Sequence, residues 1–100
     1  MQDATVSEVK KRLEHEDPFI FIDVREPWEY EEFNLGAKSM PLSTLMNTAS
    51  ELLDHKDDEI IVHCRSGARS MQAKMILESM GFTKVRNLTG GILAWQTQFG

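Results

Sequence analysis

The one cysteine of the chain, Cys64, ends an apolar run, Ile60-Ile61-Val62-His63. It opens the stretch Cys64-Arg65-Ser66-Gly67-Ala68-Arg69-Ser70, which leads into a helical pattern. A thiol at a strand-to-helix turn, with small residues after it and arginines beside it, sits in surroundings that favour thiolate. A free thiol with a pKa of about 8.5 is only slightly ionised at neutral pH. Making it half thiolate takes a downward shift of about 1.5 units, or roughly 2 kcal/mol. A helix N-terminus supplies up to ~1–2 kcal/mol in partly buried geometry. Arg65 and Arg69 add attraction, and the N–H groups of Ser66, Gly67 and Ala68 can turn inward as an anion nest. Gly67 permits a positive φ there, while Ser66 and Ala68 leave the cradle unfilled by side chain. The chemistry implied is nucleophilic, on one sulfur atom; the other reading of Cys64 is a small buried hydrophobe at a strand end.

His63 is adjacent in sequence, but successive side chains on a strand face opposite ways, so it is expected to pack rather than act as a base. His15, His55, His63 and Cys64 lack the spacing of metal-ligand pairs, and no metal or other cofactor is expected.

These residues need a scaffold, and the pattern of apolar positions supplies one. Thr5 and Glu8 read as a capping box for a helix with Val6, Val9 and Leu13 on one face. Phe19 to Val24 is a near-continuous apolar run of the kind buried on both faces of a parallel sheet. Pro27 fits the first turn of a short helix from Trp28 to Phe33. Gly36 to Pro41 reads as a turn and a short extended piece, and Ser43 as the N-cap of a helix from Thr44 to Leu53. A second strong strand spans Glu59 to His63. The next helix runs from Arg69 to Met80, with Met71, Met75, Ile76 and Met80 as core filler and Gly81 at C′. Lys84 to Asn87 is a short strand, and Gly90-Gly91 leads into a last helix from Ile92 to Gln98.

Alternation of strand and helix with short connections predicts an α/β domain. Its centre is a mainly parallel sheet of about five short strands with helices on both faces. In such sheets ligands bind beyond the carboxyl ends of the strands, where Asp23 and Arg25 meet the cysteine loop.

One hundred residues suit one domain, taken as residues 1–100, and 41% hydrophobic content is ordinary for a globular one. The net charge of −5 disfavours nucleic acid or an anionic membrane as partner. The acidic stretches Glu26–Glu32 and Asp54–Glu59 read as solvated surface. Against that background, Arg65 and Arg69 suggest a positive pocket for a small anion. No apolar stretch approaches the ~20 residues of a bilayer span, and Met1-Gln2-Asp3 lacks the features of a signal peptide. A single cysteine forms no internal disulfide and fits a reducing, cytoplasmic location.

Cys64 to Arg69 resembles the active-site loop of the rhodanese family of sulfurtransferases. Asp23-Val24-Arg25-Glu26 with Glu29-Tyr30 resembles the family's upstream motif, and Asn87-Leu88-Thr89-Gly90-Gly91-Ile92-Leu93-Ala94-Trp95 its closing motif. The match runs over about residues 5 to 99. The resemblance implies a double displacement in which Cys64 takes a sulfane sulfur from a small anionic donor such as thiosulfate. The sulfur then passes to a thiol, cyanide or a protein acceptor, with ping-pong kinetics. It also implies that backbone amides from Arg65 to Arg69 cradle the persulfide and that the arginines hold the donor. Asp23 and Arg25 orient the loop, and Trp95 packs.

Three alternatives accompany this reading. A cysteine phosphatase or arsenate reductase also uses a Cys–Arg anion loop. Here, however, four residues separate Cys64 from Arg69, one fewer than in those loops, which makes a smaller cradle. A binding module of the same fold, or a relay that delivers sulfur to a protein partner, is the third; inactive relatives usually lack the cysteine. Asn34 stands where many family members have histidine, outside the cysteine loop.

Overall fold

The computed structural model describes residues 1–100. Its centre is a sheet of four parallel strands: β1 (Ile20–Asp23), β2 (Lys38–Ser39), β3 (Ile60–His63) and β4 (Val85–Asn87), in the order β2-β1-β3-β4. β3 pairs along its length with β1, Ile20 opposite Ile60 and Asp23 opposite His63, and Val62 lies opposite Asn87 of β4. The carboxyl ends of β1, β3 and β4 therefore put Asp23, His63 and Asn87 on one edge, with Cys64 next in chain.

Five strands were expected and four form. The fifth position is held by a single bridge: Ala4 donates its N–H to Asn87 O at 2.9 Å, and Thr89 donates to Ala4 O at 2.9 Å. The bridge cannot lengthen, because the next residue, Thr5, is already the N-cap of helix α1 (Val6–Glu14).

Side-chain alternation divides the core in two, with helices on both faces as expected. Ile22, Val24, Ile60, Val62, Cys64 and Val85 pack on one side with α3 (Leu45–Thr48) and α4 (Ala68–Ser79). Phe21 and Ile61 pack on the other with Val6 and Val9 of α1 and with Leu88, Ala94 and Trp95 near and within α5 (Gly91–Phe99). No helix is long and apolar enough to cross a membrane.

Several local expectations change. Thr5 Oγ1 accepts from Glu8 N–H at 3.1 Å, but the Glu8 carboxylate does not complete the capping box. It takes two hydrogen bonds of 2.6 Å from Arg86 instead, an ion pair being the stronger partner. Arg86 also meets Glu59 at 2.7 Å, as does Arg12, so Glu59 is an ion-pair hub rather than solvated surface. Leu13 lies exposed at the end of α1.

The segment expected as one helix from Thr44 to Leu53 is a 3-10 turn (Leu42–Thr44), the single turn α3, and a further 3-10 stretch (Ala49–His55). Ser43 sits inside the first turn and caps nothing. Thr44 Oγ1 donates to Pro41 O at 3.3 Å and Ser50 Oγ to Asn47 O at 3.0 Å, local bonds of the kind that compete with helix formation.

In α4 the buried face is Ser70, Ala73 and Leu77. Met71 and Met75, expected in the core, are exposed, whereas Ile76 and Met80 flank it. Small residues at 70 and 73 let the helix lie close on the sheet, and with apolar residues on several sides the pattern alone does not select a face. Gly81 takes a φ of 97° after the Met80 cap, as expected of C′. Leu77→Ala is thus expected to cost about 2–5 kcal/mol in urea unfolding. Met75→Gln is expected to stay within about 0.5 kcal/mol.

Candidate active site

Strand β3 delivers Cys64 to the carboxyl edge, and the chain turns at once into α4. Gly67 makes that turn as the helix N-cap with a φ of 107°, a conformation open to glycine and strained for other residues. The turn folds the start of α4 back over the sulfur. Cys64 Sγ accepts from Gly67 N–H at 3.1 Å, from Ser70 N–H at 3.4 Å and from the Ser70 hydroxyl at 3.3 Å. The sulfur lies at the floor of the loop, with Cys64 only 1% exposed. Burial pushes the thiol up, but the Ser70 hydroxyl and the amides of Ser70, Gly67 and Ser66 outweigh it and hold the thiol below its ordinary range.

The two arginines of the loop part company. Arg69 turns away into a two-pronged pair with Glu29 of α2 (Pro27–Glu32), at 2.7 and 3.0 Å. Glu29 also accepts from Glu26 N–H at 3.0 Å and is buried, so the stretch 26–32 is not solvated throughout. The Arg69 guanidinium holds the Glu29 carboxyl down at about 2, burial opposing it. Arg65 is exposed and forms no ion pair.

Asp23 and Arg25 form a clamp of their own. The Asp23 carboxylate accepts from the Arg25 N–H at 2.9 Å, from Nε at 3.1 Å and from Nη2 at 2.8 Å. Arg25 Nη2 also donates to Phe33 O at 2.6 Å. The clamp ties the end of β1 to the end of α2; neither residue hydrogen-bonds the loop from Cys64 to Arg69. His63 faces the other side of the sheet, its ring 5.0 Å from Phe21 and its Nε2 3.6 Å from Asp23. Burial lowers its pKa against the pull of Asp23, which fits the packing role expected of it.

A roof comes from the end of the chain. Ile92 N–H donates to Cys64 O and Leu93 N–H to Arg65 O, both at 3.0 Å. This approach requires glycine at 91: its φ is 55°, and a Cβ there would lie 2.4 Å from Cys64 O. Beneath the loop, Asn87 Oδ1 lies 2.5 Å from Ser70 Oγ as a second acceptor for the same hydroxyl, and Asn87 Nδ2 donates to Gly67 O at 3.1 Å. Trp95 stacks edge-on against Phe99 at 5.1 Å, a packing role. Asn34 holds its own turn, donating to Tyr30 O and accepting from Gly36 N–H.

Beside the loop opens a cleft of about 410 Å³ lined by Arg65, Arg25, Glu32, Trp28 and Ile92, among others. Sequence reasoning missed Glu29, Ser70 and Asn87 as site residues. Ser70 directly follows the loop, and Asn87 opens the closing motif, where the glycines drew attention first.

The model of the Rhodanese-like domain family matches residues 5–98 of this chain. The chain belongs to that family. It is 35% identical over 88 residues to a sulfurtransferase of Allochromatium vinosum, covering 87% of this chain and 80% of that one. It is 38% identical over 71 residues to the thiosulfate sulfurtransferase PspE of Escherichia coli, covering 70% of this chain and 68% of that one. The solution structure of a rhodanese-like domain from an Anabaena protein superposes with a TM-score of 0.87 at 34% identity, over 98% of this chain and 75% of that one. These relationships set the chain in the sulfurtransferase class of transferases.

Two outcomes follow from the geometry. A carboxyl held near 2 against an ordinary 4.5 contributes stability that is full above about pH 4.5 and is lost as pH falls through about 2. After discounting for screening at the partly exposed Arg69 end, this is roughly 1–2 kcal/mol. Urea midpoints of Glu29→Gln are therefore expected to lose that part of the acid-limb slope seen in the parent. Gly91→Ala is expected to cost at least about 1–3 kcal/mol in thermal unfolding, from backbone strain and the clash with Cys64 O.

Proposed function

We propose that the protein transfers a sulfane sulfur from thiosulfate or a similar small anion through a persulfide on Cys64. The observation that carries this reading is the set of three donors converging on Cys64 Sγ, two amides and a hydroxyl, which stabilise a thiolate rather than a thiol.

The Cys64 thiolate attacks the outer sulfur of thiosulfate. The sulfur–sulfur bond of the donor breaks, sulfite leaves with the electron pair, and Cys64 carries the extra sulfur. A nucleophile, be it cyanide, a thiol or a thiol on a protein, then attacks that outer sulfur and releases the Cys64 thiolate. Splitting one transfer into two displacements is covalent catalysis.

In this reading the amides from Arg65 to Arg69, with Ser66, Gly67 and Ala68 between, cradle the outer sulfur. Arg65 receives the donor's sulfonate, because it is the loop guanidinium without a carboxylate partner. Arg69 keeps the cradle in place through Glu29. Asp23 and Arg25 hold the wall of the cleft. No metal or cofactor enters the chemistry, and residues 1–100 act as one rhodanese-like domain. A lone reactive thiol suits a reducing compartment such as the cytoplasm. PspE is named a thiosulfate sulfurtransferase, which supports thiosulfate as the donor to try first.

Intact mass after exposure to thiosulfate is expected to show one added sulfur, removed by cyanide or a reductant. Cys64→Ala is expected to remain folded, take up no sulfur and form no thiocyanate. Thiocyanate production at the parent rate by that variant would overturn the assignment.

A further inference from the structure

The Ser70 hydroxyl carries one proton and faces two acceptors. Asn87 Oδ1 lies 2.5 Å from Ser70 Oγ, and Cys64 Sγ lies 3.3 Å from it. Asn87 is fixed in orientation, because its Nδ2 donates to Gly67 O at 3.1 Å, leaving Oδ1 toward Ser70 as acceptor only. All three side chains are buried. When Cys64 is a neutral thiol, its S–H can donate to Ser70 Oγ while the hydroxyl donates to Asn87. When Cys64 is a thiolate, the sulfur accepts only, and the hydroxyl can rotate from Asn87 to meet it.

We propose that Ser70 is a positioning residue whose hydroxyl turns between Asn87 and Cys64, stabilising the thiolate that leaves when sulfur is handed to the acceptor. The proposal rests on the persulfide reading given above. In the discharge step the acceptor's lone pair forms a bond to the outer sulfur. The Sγ–S bond breaks and its electron pair collects on Cys64 Sγ, where the Ser70 O–H meets it. No proton is transferred. In the loading step charge departs from Sγ, so the same bond weakens as reaction proceeds. Discharge therefore depends on Ser70 more than loading does.

The charged groups around the sulfur do not replace it. Arg69 is engaged by Glu29, Arg65 is exposed and lines the cleft, His63 lies on the opposite face, and Asp23 and Arg25 neutralise each other.

The test compares the parent with Ser70→Ala and Ser70→Thr. The first readout is the pH profile of Cys64 alkylation by iodoacetamide, which requires no sulfur transfer. Ser70→Ala is expected to move its midpoint up by about one unit, the worth of one hydrogen bond to a charged group, and Ser70→Thr to return it toward the parent. The second readout is single-turnover mass analysis. Discharge of the persulfide to cyanide is expected to slow roughly tenfold in Ser70→Ala, with loading from thiosulfate, measured above the thiol midpoint, changed less.

Superimposable alkylation profiles for parent and a folded Ser70→Ala would overturn the proposal, as would equal slowing of both half-reactions. A parent that takes up no sulfur overturns the persulfide reading instead, and the alkylation profile still decides the role of the hydroxyl at Sγ.

Discussion

Everything at the site depends on turning a chain through one glycine so that peptide dipoles end on a sulfur atom. Burial alone would make Cys64 an inert packing residue. The positive φ of Gly67 aims N–H groups inward, and the first turn of α4 adds Ser70 from below. Burying an ionised sulfur costs free energy unless it finds partners, and here two of its three partners are main-chain N–H groups fixed by the turn and the start of the helix. The amides of the turn and the Ser70 hydroxyl act on the sulfur together.

The rest of the fold holds that turn against collapse. The parallel register brings Cys64 and Asn87 to neighbouring strand ends, so Asn87 can brace Gly67 from beneath. The Arg69–Glu29 pair anchors the start of α4 to α2, and the Asp23–Arg25 clamp anchors α2 to β1. These pairs form two links of one brace around the cleft. The guanidinium left over, on Arg65, faces the opening, which separates the job of supporting the loop from that of meeting an anion.

Much of this was legible in the sequence, and the gaps have physical causes. The strand Phe19–Val24 announced itself through continuous β-forming residues, and the cysteine loop through its small residues and position. Glu29 was hidden because a carboxylate in a run of carboxylates looks like surface; its partner lies 40 residues away, beyond any local pattern. Glu59 was hidden likewise. The face of α4 was misread because Ser70 and Ala73, not the bulkier methionines, are the residues a close helix–sheet contact selects. Ser70 escaped notice for the same reason: a small polar residue signals neither core nor charge until its neighbour across the sheet is known. The fifth strand failed on a single constraint, since Thr5 cannot both extend a ladder and start a helix.

The seal between Gly91 and the Cys64 carbonyl also bears on timing. The nucleophilic turn is closed by peptide groups from far downstream, so it reaches its final shape only once α5 has folded back onto the sheet edge. The turn that holds the sulfur is therefore completed by a contact between distant parts of the chain, so the placement of the last helix is part of what shapes it.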